Sequence, residues 1–470
     1  MASDNYSKNK ALLTGTITYA IGNFGTKILS FLIVPLYTFY ILPSDLGDYD
    51  LLMTTVSLLS PLMTMKISDA TYRWLIKDRE NGPDYLAATY KLLIQNCLIF
   101  AGMLLLINHF LPIWNCYYFI AILIGDRVLE CLQKLLRGVK NQKLFAVSGI
   151  LYTALLVGAN FVKIVLLHQG VEALLQSVVF SQVLTILFVL ISEKELRVVH
   201  WKSSHRKIQK ELLHYSTPLV PSALSWWVMS ASDRYVIRGI LDSTANGIFA
   251  VAGKFPSILQ TIFTMFNNAW TDMALAELKQ GKQTEKYTSD VFRNLYRFSF
   301  AFIFVLIPMT KLVTQIILGE AYQSASIYIG ILYLGTVFQG FSSFCSIGYL
   351  QQKTTRGAAK TSMYGAAVNL IIDIALMPFI GLFAASISTF VGFFVMWVTR
   401  MWDIRKSFPI HIHVVEFLAH FLIALVLAIA SIWTGILTAC VLVVLAGVWF
   451  LYANWNTIQT MLVKLKRRKR

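Results

Sequence analysis

Glu211 to Ile240 reads ELLHYSTPLVPSALSWWVMSASDRYVIRGI. The stretch is apolar and long enough to cross a bilayer, for which about 20 helical residues suffice. Pro218 and Pro221 interrupt it near its start, and Asp233 and Arg234 sit in its far third. An ionised Arg at the centre of a lipid-embedded helix costs roughly 2.5–3.5 kcal/mol on insertion scales, so such a residue faces a partner or a water-filled cavity. Two readings stay open here. Asp233 and Arg234 stabilise each other or a neighbouring helix, or the helix lines a polar cavity that handles an anion.

Composition places the whole chain in the same environment. Of 470 residues, 56% are hydrophobic and 14% charged, and mean hydropathy is +0.62, beyond the range of soluble globular proteins. Apolar runs of about 20 residues recur along it, so the fold class is an all-α polytopic membrane protein. Strand-type alternation is absent, which argues against an outer-membrane barrel. The cysteines Cys97, Cys116, Cys131, Cys345 and Cys440 form no pair at metal-ligand spacing, so neither a metal site nor a disulfide framework is expected. The polar start MASDNYSKNK makes the first span a signal anchor rather than a cleaved leader.

Fourteen spans are expected, at residues 14–40, 46–76, 86–109, 113–137, 143–167, 171–192, 211–239, 246–277, 287–309, 326–350, 360–379, 381–399, 414–433 and 435–453. With the N-terminus in the cytoplasm, 28 of the 41 Lys and Arg fall in the cytoplasmic connections and tail. The opposite side holds only Arg238 and Lys311. That asymmetry sets both termini inside by the positive-inside rule. Most of the net charge of +17 is then a topology signal and an attraction to anionic lipids of the inner leaflet, and nucleic acid is not needed as a partner.

The remaining basic residues fall within spans. Arg73, Lys91, Lys134 and Arg293 lie near enough to cytoplasmic ends to snorkel. Lys27 and Arg127 are near mid-span, and Lys163, Arg234 and Lys254 lie nearer the outer side. Asp126, Asp233 and Asp373 occupy comparable depths, so the intramembrane charge leans cationic.

An internal repeat orders these positions. LLTGTITYAIGNFGTKILSFLIVPLYTFYILPSDLGDY from Leu12 parallels LLHYSTPLVPSALSWWVMSASDRYVIRGILDSTANGIF from Leu212, with Ile41-Leu42 matching Ile240-Leu241 and Gly47 matching Gly247. Six spans separate the copies, so both halves run in the same direction, as in transporters whose two lobes are related by an axis along the membrane normal. The expected organisation is an N-lobe over 1–192, a basic linker over 193–210, a C-lobe over 211–406, and a helix pair with a basic tail over 407–470. The lobes comprise spans 1–6 and 7–12 and are related by a pseudo-twofold; spans 13 and 14 are an addition. The linker EKELRVVHWKSSHRKIQK is either a solvated basic connection or an interfacial helix with Trp201 and Ile208 dipped into the headgroups.

Signatures of catalysis are missing. GIFAVAGK at 247–254 has five residues between its glycines instead of four and Phe255 where a P-loop needs Ser or Thr. No HExxH occurs, and no polar connection is long enough to hold a catalytic domain. The chain therefore reads as a transporter rather than an enzyme, without a cofactor beyond proton or sodium coupling. Arg recognises phosphate through paired donors and Lys adds a compact charge, so a basic cavity between lobes suits a phosphate or pyrophosphate headgroup. Tyr19, Asn23, Trp226, Trp227, Asn267, Asn268 and Trp270 supply rings and amides for a sugar; ordinary interfacial aromatics and interhelical hydrogen bonds account for each equally well.

YAIGNFGTKILSFLIVPLYTFYILPSDLGDYDL and YSTPLVPSALSWWVMSASDRYVIRGILDSTANGIFAVAGKFPSILQTIFTMFNNAW resemble Wzx-type flippases. These form the polysaccharide transporter branch of the multidrug/oligosaccharidyl-lipid/polysaccharide exporter superfamily. The resemblance implies translocation of undecaprenyl-pyrophosphate-linked oligosaccharide repeat units to the outer leaflet of the bacterial cytoplasmic membrane, for capsule, exopolysaccharide or O-antigen assembly. It implies lipid-linked oligosaccharide as ligand and a polysaccharide polymerase and other assembly proteins as partners. It also implies a cationic cavity faced by Arg234 of the SDRY segment, Lys254 of AGKF and Arg73 of ATYRW. Lys27 and Arg127 join them by depth, and Asp233, Asp126, Asp69 and Asp373 are the candidates for ion coupling. The alternatives are a cation-coupled multidrug exporter or a peptidoglycan lipid-precursor flippase of the same superfamily. From another class comes a polytopic glycan polymerase or ligase, which the short external connections disfavour.

Overall fold

The computed structural model describes residues 25, 29, 31–201, 206–277, 282–352 and 356–468, and the regular structure among them is helical throughout. The chain divides into two compact units, Met1–Trp227 and Val228–Arg470.

The first unit contains α1 (Phe31–Tyr40), α2 (Pro43–Thr64), α3 (Ile67–Lys77), α4 (Gly82–Phe110) and α5 (Cys116–Gly138). It continues with α6 (Gln142–Asn160, extended by a π turn at Phe161–Leu166), α7 (Glu172–Ser192) and α8 (Arg206–Ser216). Helix α9 (Leu219–Ala231) runs across the division. The second unit contains α10 (Asp233–Ile240), α11 (Ser243–Ala252), α12 (Lys254–Glu277), α13 (Lys282–Ile317) and α14 (Ser326–Cys345). After it come α15 (Ile347–Gln351), α16 (Arg356–Ile380), α17 (Leu382–Ile404), α18 (Val414–Ala430) and α19 (Ile436–Arg468).

Among the described residues, eight helices are long and apolar enough to cross a membrane, and the bent pair α2–α3 makes a ninth. Shorter apolar helices at Phe31–Tyr40, Leu219–Ala231, Val414–Ala430 and Ile436–Tyr452 stand where further spans are expected. Helix α5 occupies the expected fourth span while carrying Asp126, Arg127, Glu130, Lys134 and Arg137. Helices thus occupy the positions of all fourteen expected spans, the first over its described end.

Local chemistry explains the breaks. Pro43 opens α2, where its missing N–H is no loss. Pro61 lies inside the same helix, and Met65 (φ 47°) and Lys66 (φ 55°) then adopt left-handed backbone, bending α2 against α3 by 55°. Left-handed backbone costs a non-glycine residue roughly 1–2 kcal/mol, so side chains must hold the joint. The Asn96 amide donates to the Met63 carbonyl at 2.7 Å, and Thr64 Oγ1 accepts from the Lys66 N–H at 3.3 Å.

The stretch expected as one span at 211–239 is divided among three helices. Its first residues belong to the amphipathic α8, Pro218 precedes α9 and a turn at Ser232 precedes α10. The apolar side of α8 is committed to protein, with Leu212 buried against Ile67, Ala70 and Ala88. Ile208 packs with the core clusters, and Trp201 stacks on Tyr90 with ring centroids 6.3 Å apart. The linker is further pinned by Arg79 to Glu195 (2.6 Å), Lys91 to the Trp201 carbonyl (2.7 Å) and Tyr90 to the Leu196 carbonyl (3.1 Å).

In the second unit, Phe292, Phe338, Phe341, Trp397 and Phe417 form an aromatic core in edge-on, tilted and stacked contacts. Helix α18 joins this core through a polar row along α13. His411 pairs with Glu285, the His411 N–H reaches Ser289 Oγ (2.9 Å), and Glu416 receives Arg293 (2.6 Å) and Arg297 (3.2 Å). Arg293 is therefore engaged by a carboxylate instead of snorkelling, and His411 is tied to α13. Arg400, counted above with a cytoplasmic connection, is instead a buried residue of α17. It donates to the Ser342 carbonyl (2.8 Å), Ser362 Oγ (2.9 Å) and Thr361 Oγ1 (3.3 Å).

Candidate functional site

The second unit holds Asp233, Arg234, Lys254 and Asp373 at two adjoining places. Asp233 is buried in the first turn of α10, where the helix dipole favours a carboxylate. It accepts the Arg234 backbone N–H at 3.0 Å and the Arg234 guanidinium at 2.8 Å. That guanidinium lies over the Phe249 ring of α11, 4.9 Å from its centroid, a cation–π contact. A Cβ on Gly253 would come within 3.2 Å of Arg234 Nη2, so glycine at the α11–α12 joint leaves the Arg its room. Lys254, the next residue, is exposed at the start of α12. Arg234 thus reaches the helix joint at which Lys254 begins α12.

Helix α10 packs on α16, which brings Asp373 within electrostatic reach of Asp233 and Arg234. Asp373 is fully buried, with Oδ1 3.4 Å from Ser388 Oγ of α17, and Asn369 Nδ2 lies 3.3 Å from the same hydroxyl. Asp373 Oδ2 and Asn369 Oδ1 are buried and accept no hydrogen bond from the described residues. Two carboxylates, an amide oxygen and a hydroxyl make a hard-oxygen donor set, the kind that suits a hard cation rather than a soft metal. Close packing sets the geometry here. A Cβ on Gly392 would lie 2.8 Å from Asn369 Cβ, and one on Gly365 would lie 2.8 Å from the Gly392 carbonyl oxygen.

In the first unit, α5 faces α3 with a ladder of charges. Arg127 is buried and engages Asp126, Glu130 and Ser60 Oγ. Lys134 lies 2.9 Å from Glu130 and 2.7 Å from Asp69 of α3, and Asp69 is 4.0 Å from Lys66 at the bend. Lys134 thus turns inward to two carboxylates, correcting its reading as a snorkelling residue. Arg73, also on α3, is exposed and lies over the ring of Tyr215, 4.8 Å from its centroid, and Trp74 meets the same ring edge-on. Lys163 contacts Gln176 (2.7 Å), which contacts Tyr118 (3.1 Å). Lys27, Tyr19 and Asn23 lie outside the described residues.

Of the expected sugar contacts, Trp270 is a core residue stacked on Phe344 at 4.7 Å, and Trp227 donates to Ser57 Oγ at 2.9 Å. Three participants escaped the sequence reading. Glu130 stands four residues from both Asp126 and Lys134, a helical spacing that was there to be read. Asn369 and Ser388 carried no sequence signal, because only the pairing of α16 with α17 sets them beside Asp373.

The helical multi-pass fold recurs in solved structures. The lipid II flippase MurJ, in an inward closed conformation, aligns with a TM-score of 0.73 at 13% identity, covering 94% of this chain and 100% of that one. An inward-facing multidrug resistance MATE family transporter of the MOP superfamily aligns with a TM-score of 0.64 at 16% identity, covering 83% and 98%. The chain shares its fold with these two proteins. Residues 12–271 match the polysaccharide biosynthesis protein family, and the chain belongs to it. The uncharacterized membrane protein MJ1068 of Methanocaldococcus jannaschii is 24% identical over 342 residues, 68% of this chain; the match spans 64% of the length of that relative.

Proposed function

We propose that the protein flips undecaprenyl-pyrophosphate-linked oligosaccharide repeat units from the cytoplasmic to the outer leaflet by alternating access, for capsule, exopolysaccharide or O-antigen assembly. The family match supports the pathway. The observation that carries the ligand class is Arg234, a guanidinium inside a membrane helix, held between Asp233 and the Phe249 ring and set beside Lys254. Arg pairs two N–H donors with phosphate oxygens and Lys adds a point charge. Arg73, Arg127 and Lys27 are assigned to the same task in the first unit. Such cations offset the cost of carrying a pyrophosphate through a low-dielectric layer, while the lipid tail stays in hydrocarbon. No covalent step is involved. The polysaccharide polymerase and other assembly proteins take over the delivered repeat units.

The positive-inside bias assigns both termini to the cytoplasmic side of the cytoplasmic membrane. For resetting the cycle, the reading favours Asp233 and Asp373 with Asn369 and Ser388 as the seat of a sodium ion or a proton. Asp69 and Asp126 already face resident cations.

Proteoliposomes carrying defined lipid-linked oligosaccharides test this reading. Translocation is expected with the wild type and lost in Arg234→Glu at equal protein level. Transport of cationic drugs without transport of lipid-linked sugar would instead select the multidrug exporter. Transport of the peptidoglycan precursor alone would select that flippase.

A further inference from the structure

The charge ladder of the first unit runs from Asp126 to Lys134, nine residues of α5 that span about 12 Å of helix. Three carboxylates (Asp69, Asp126, Glu130) balance three cations (Lys66, Arg127, Lys134). The buried rung is Arg127, 7% exposed, whereas Asp69 and Asp126 are 35% and Glu130 31% exposed. Ionised groups at this depth do not face hydrocarbon, so the open flank of the ladder faces water. Stability alone is a poor account of it, because buried ion pairs roughly break even against apolar packing.

The geometry points to counter-ion exchange: Asp69 and Glu130 occupy the anion seats of Lys134 and Arg127 until phosphate groups of the ligand displace them. The inference rests on the pyrophosphate-linked ligand proposed above, and it adds Lys66, Lys134 and the resident carboxylates to its path. Lys134 is the pivot, shared between Asp69 at 2.7 Å and Glu130 at 2.9 Å. Each cation trades one oxyanion for another, so none passes through an unpaired buried state. The displaced carboxylates remain on the wet flank. Restoring the internal pairs then expels the headgroup, giving release the same footing as capture. Lys66 stands in the bend itself, so the Lys66–Asp69 contact links occupancy to the α2–α3 joint.

The probe is inorganic pyrophosphate, titrated calorimetrically into the purified full-length protein in nanodiscs of zwitterionic lipid. A background of Arg234→Gln with Lys254→Gln removes the second unit's proposed phosphate contacts. Glu130→Gln is expected to tighten binding about tenfold, Asp69→Asn to do the same from the other side of Lys134, and Lys134→Gln to weaken it by a similar factor. Unchanged or weaker binding in a carboxylate variant that melts like its parent overturns the inference. The two carboxylate variants free the same amine by separate routes, so either decides if the other does not fold. Unchanged pyrophosphate binding together with intact sugar-lipid translocation removes counter-ion exchange and leaves the proposed function standing. Tightened binding without any translocation supports the exchange and removes the function.

Discussion

Ser388 Oγ of α17 sits 3.4 Å from Asp373 Oδ1 of α16, and Asn369, one turn before Asp373, reaches the same hydroxyl at 3.3 Å. The hydrogen-bond partners of this buried carboxylate are neutral, while Asp233 and the Arg234 it pairs with lie within electrostatic reach, so two carboxylates share one resident cation. Asp373→Asn is therefore expected to keep the protein folded and make translocation insensitive to the sodium or proton gradient. Flux measured in proteoliposomes with and without each gradient checks this. A gradient response equal to wild type would sink the assignment.

The seam beside that site is close-packed. Gly392→Ala places a methyl 2.8 Å from Asn369 Cβ and 3.0 Å from the Gly365 carbonyl oxygen. Overpacking of this kind costs about 1–3 kcal/mol. Lower thermal stability in detergent is expected, accompanied by a weakened ion response because Asn369 is displaced. Gly102→Ala, where an added Cβ meets nothing within 4 Å, is the control.

Arg400 ties α14, α16 and α17 together through one carbonyl and two hydroxyls. Arg400→Met strands those acceptors, and the expected loss is about 2–4 kcal/mol, read as a lower melting temperature. Arg400→Lys is not expected to rescue it, since an ammonium cannot span three acceptors that a planar fork reaches.

Glu416→Gln provides the contrast. Its Arg partners are more than a third exposed and Glu416 itself is 22% exposed, so solvent screens the pairs and the expected loss is about 1 kcal/mol or less. A drop as large as that of Arg400→Met would show that α18 depends on this row more than its exposure indicates.

Outside the spans, the Asn81 amide and the Tyr85 hydroxyl hold the Asp78 carboxyl below its ordinary range. A carboxylate whose folded pKa is depressed adds stability above its unfolded value, near 3.9, and loses it as pH falls through the folded value. Asp78→Asn should therefore lose a small stabilisation at neutral pH, match the wild type at low pH where Asp78 is protonated, and so flatten the acid limb below about pH 4, as measured by melting across a pH series.

Hydropathy made the helices legible because a bilayer demands long apolar runs whatever their neighbours are. Even α5 was recoverable, its Lys and Arg distribution and flanking turns outweighing five charges. The joints were harder to see. Met65–Lys66 contains no glycine to announce a left-handed turn, and Asn96, which steadies it, is distant in sequence. Arg400 was misplaced because counting basic residues by position cannot distinguish a helix terminus in water from one covered by two other helices. Arg127 and Lys134 were visible as cations, and their pairs with Asp126 and Glu130 lie within α5, but the Lys134–Asp69 pair depended on seeing α3 against α5.

The bend at Met65–Lys66 also divides an electrical object. A continuous span keeps its terminal partial charges among the headgroups. Two helices placed end to end bring about half a negative charge at the Thr64 end and half a positive charge at the Ile67 start into the middle of the crossing. Lys66 stands at the negative terminus, and Asp69 lies in the first turn at the positive one. Straightening the segment would merge the two dipoles and strip both side chains of the fields that hold them. The kink thus carries a built-in preference for staying bent, and any ligand that draws Lys66 or Asp69 away weakens it.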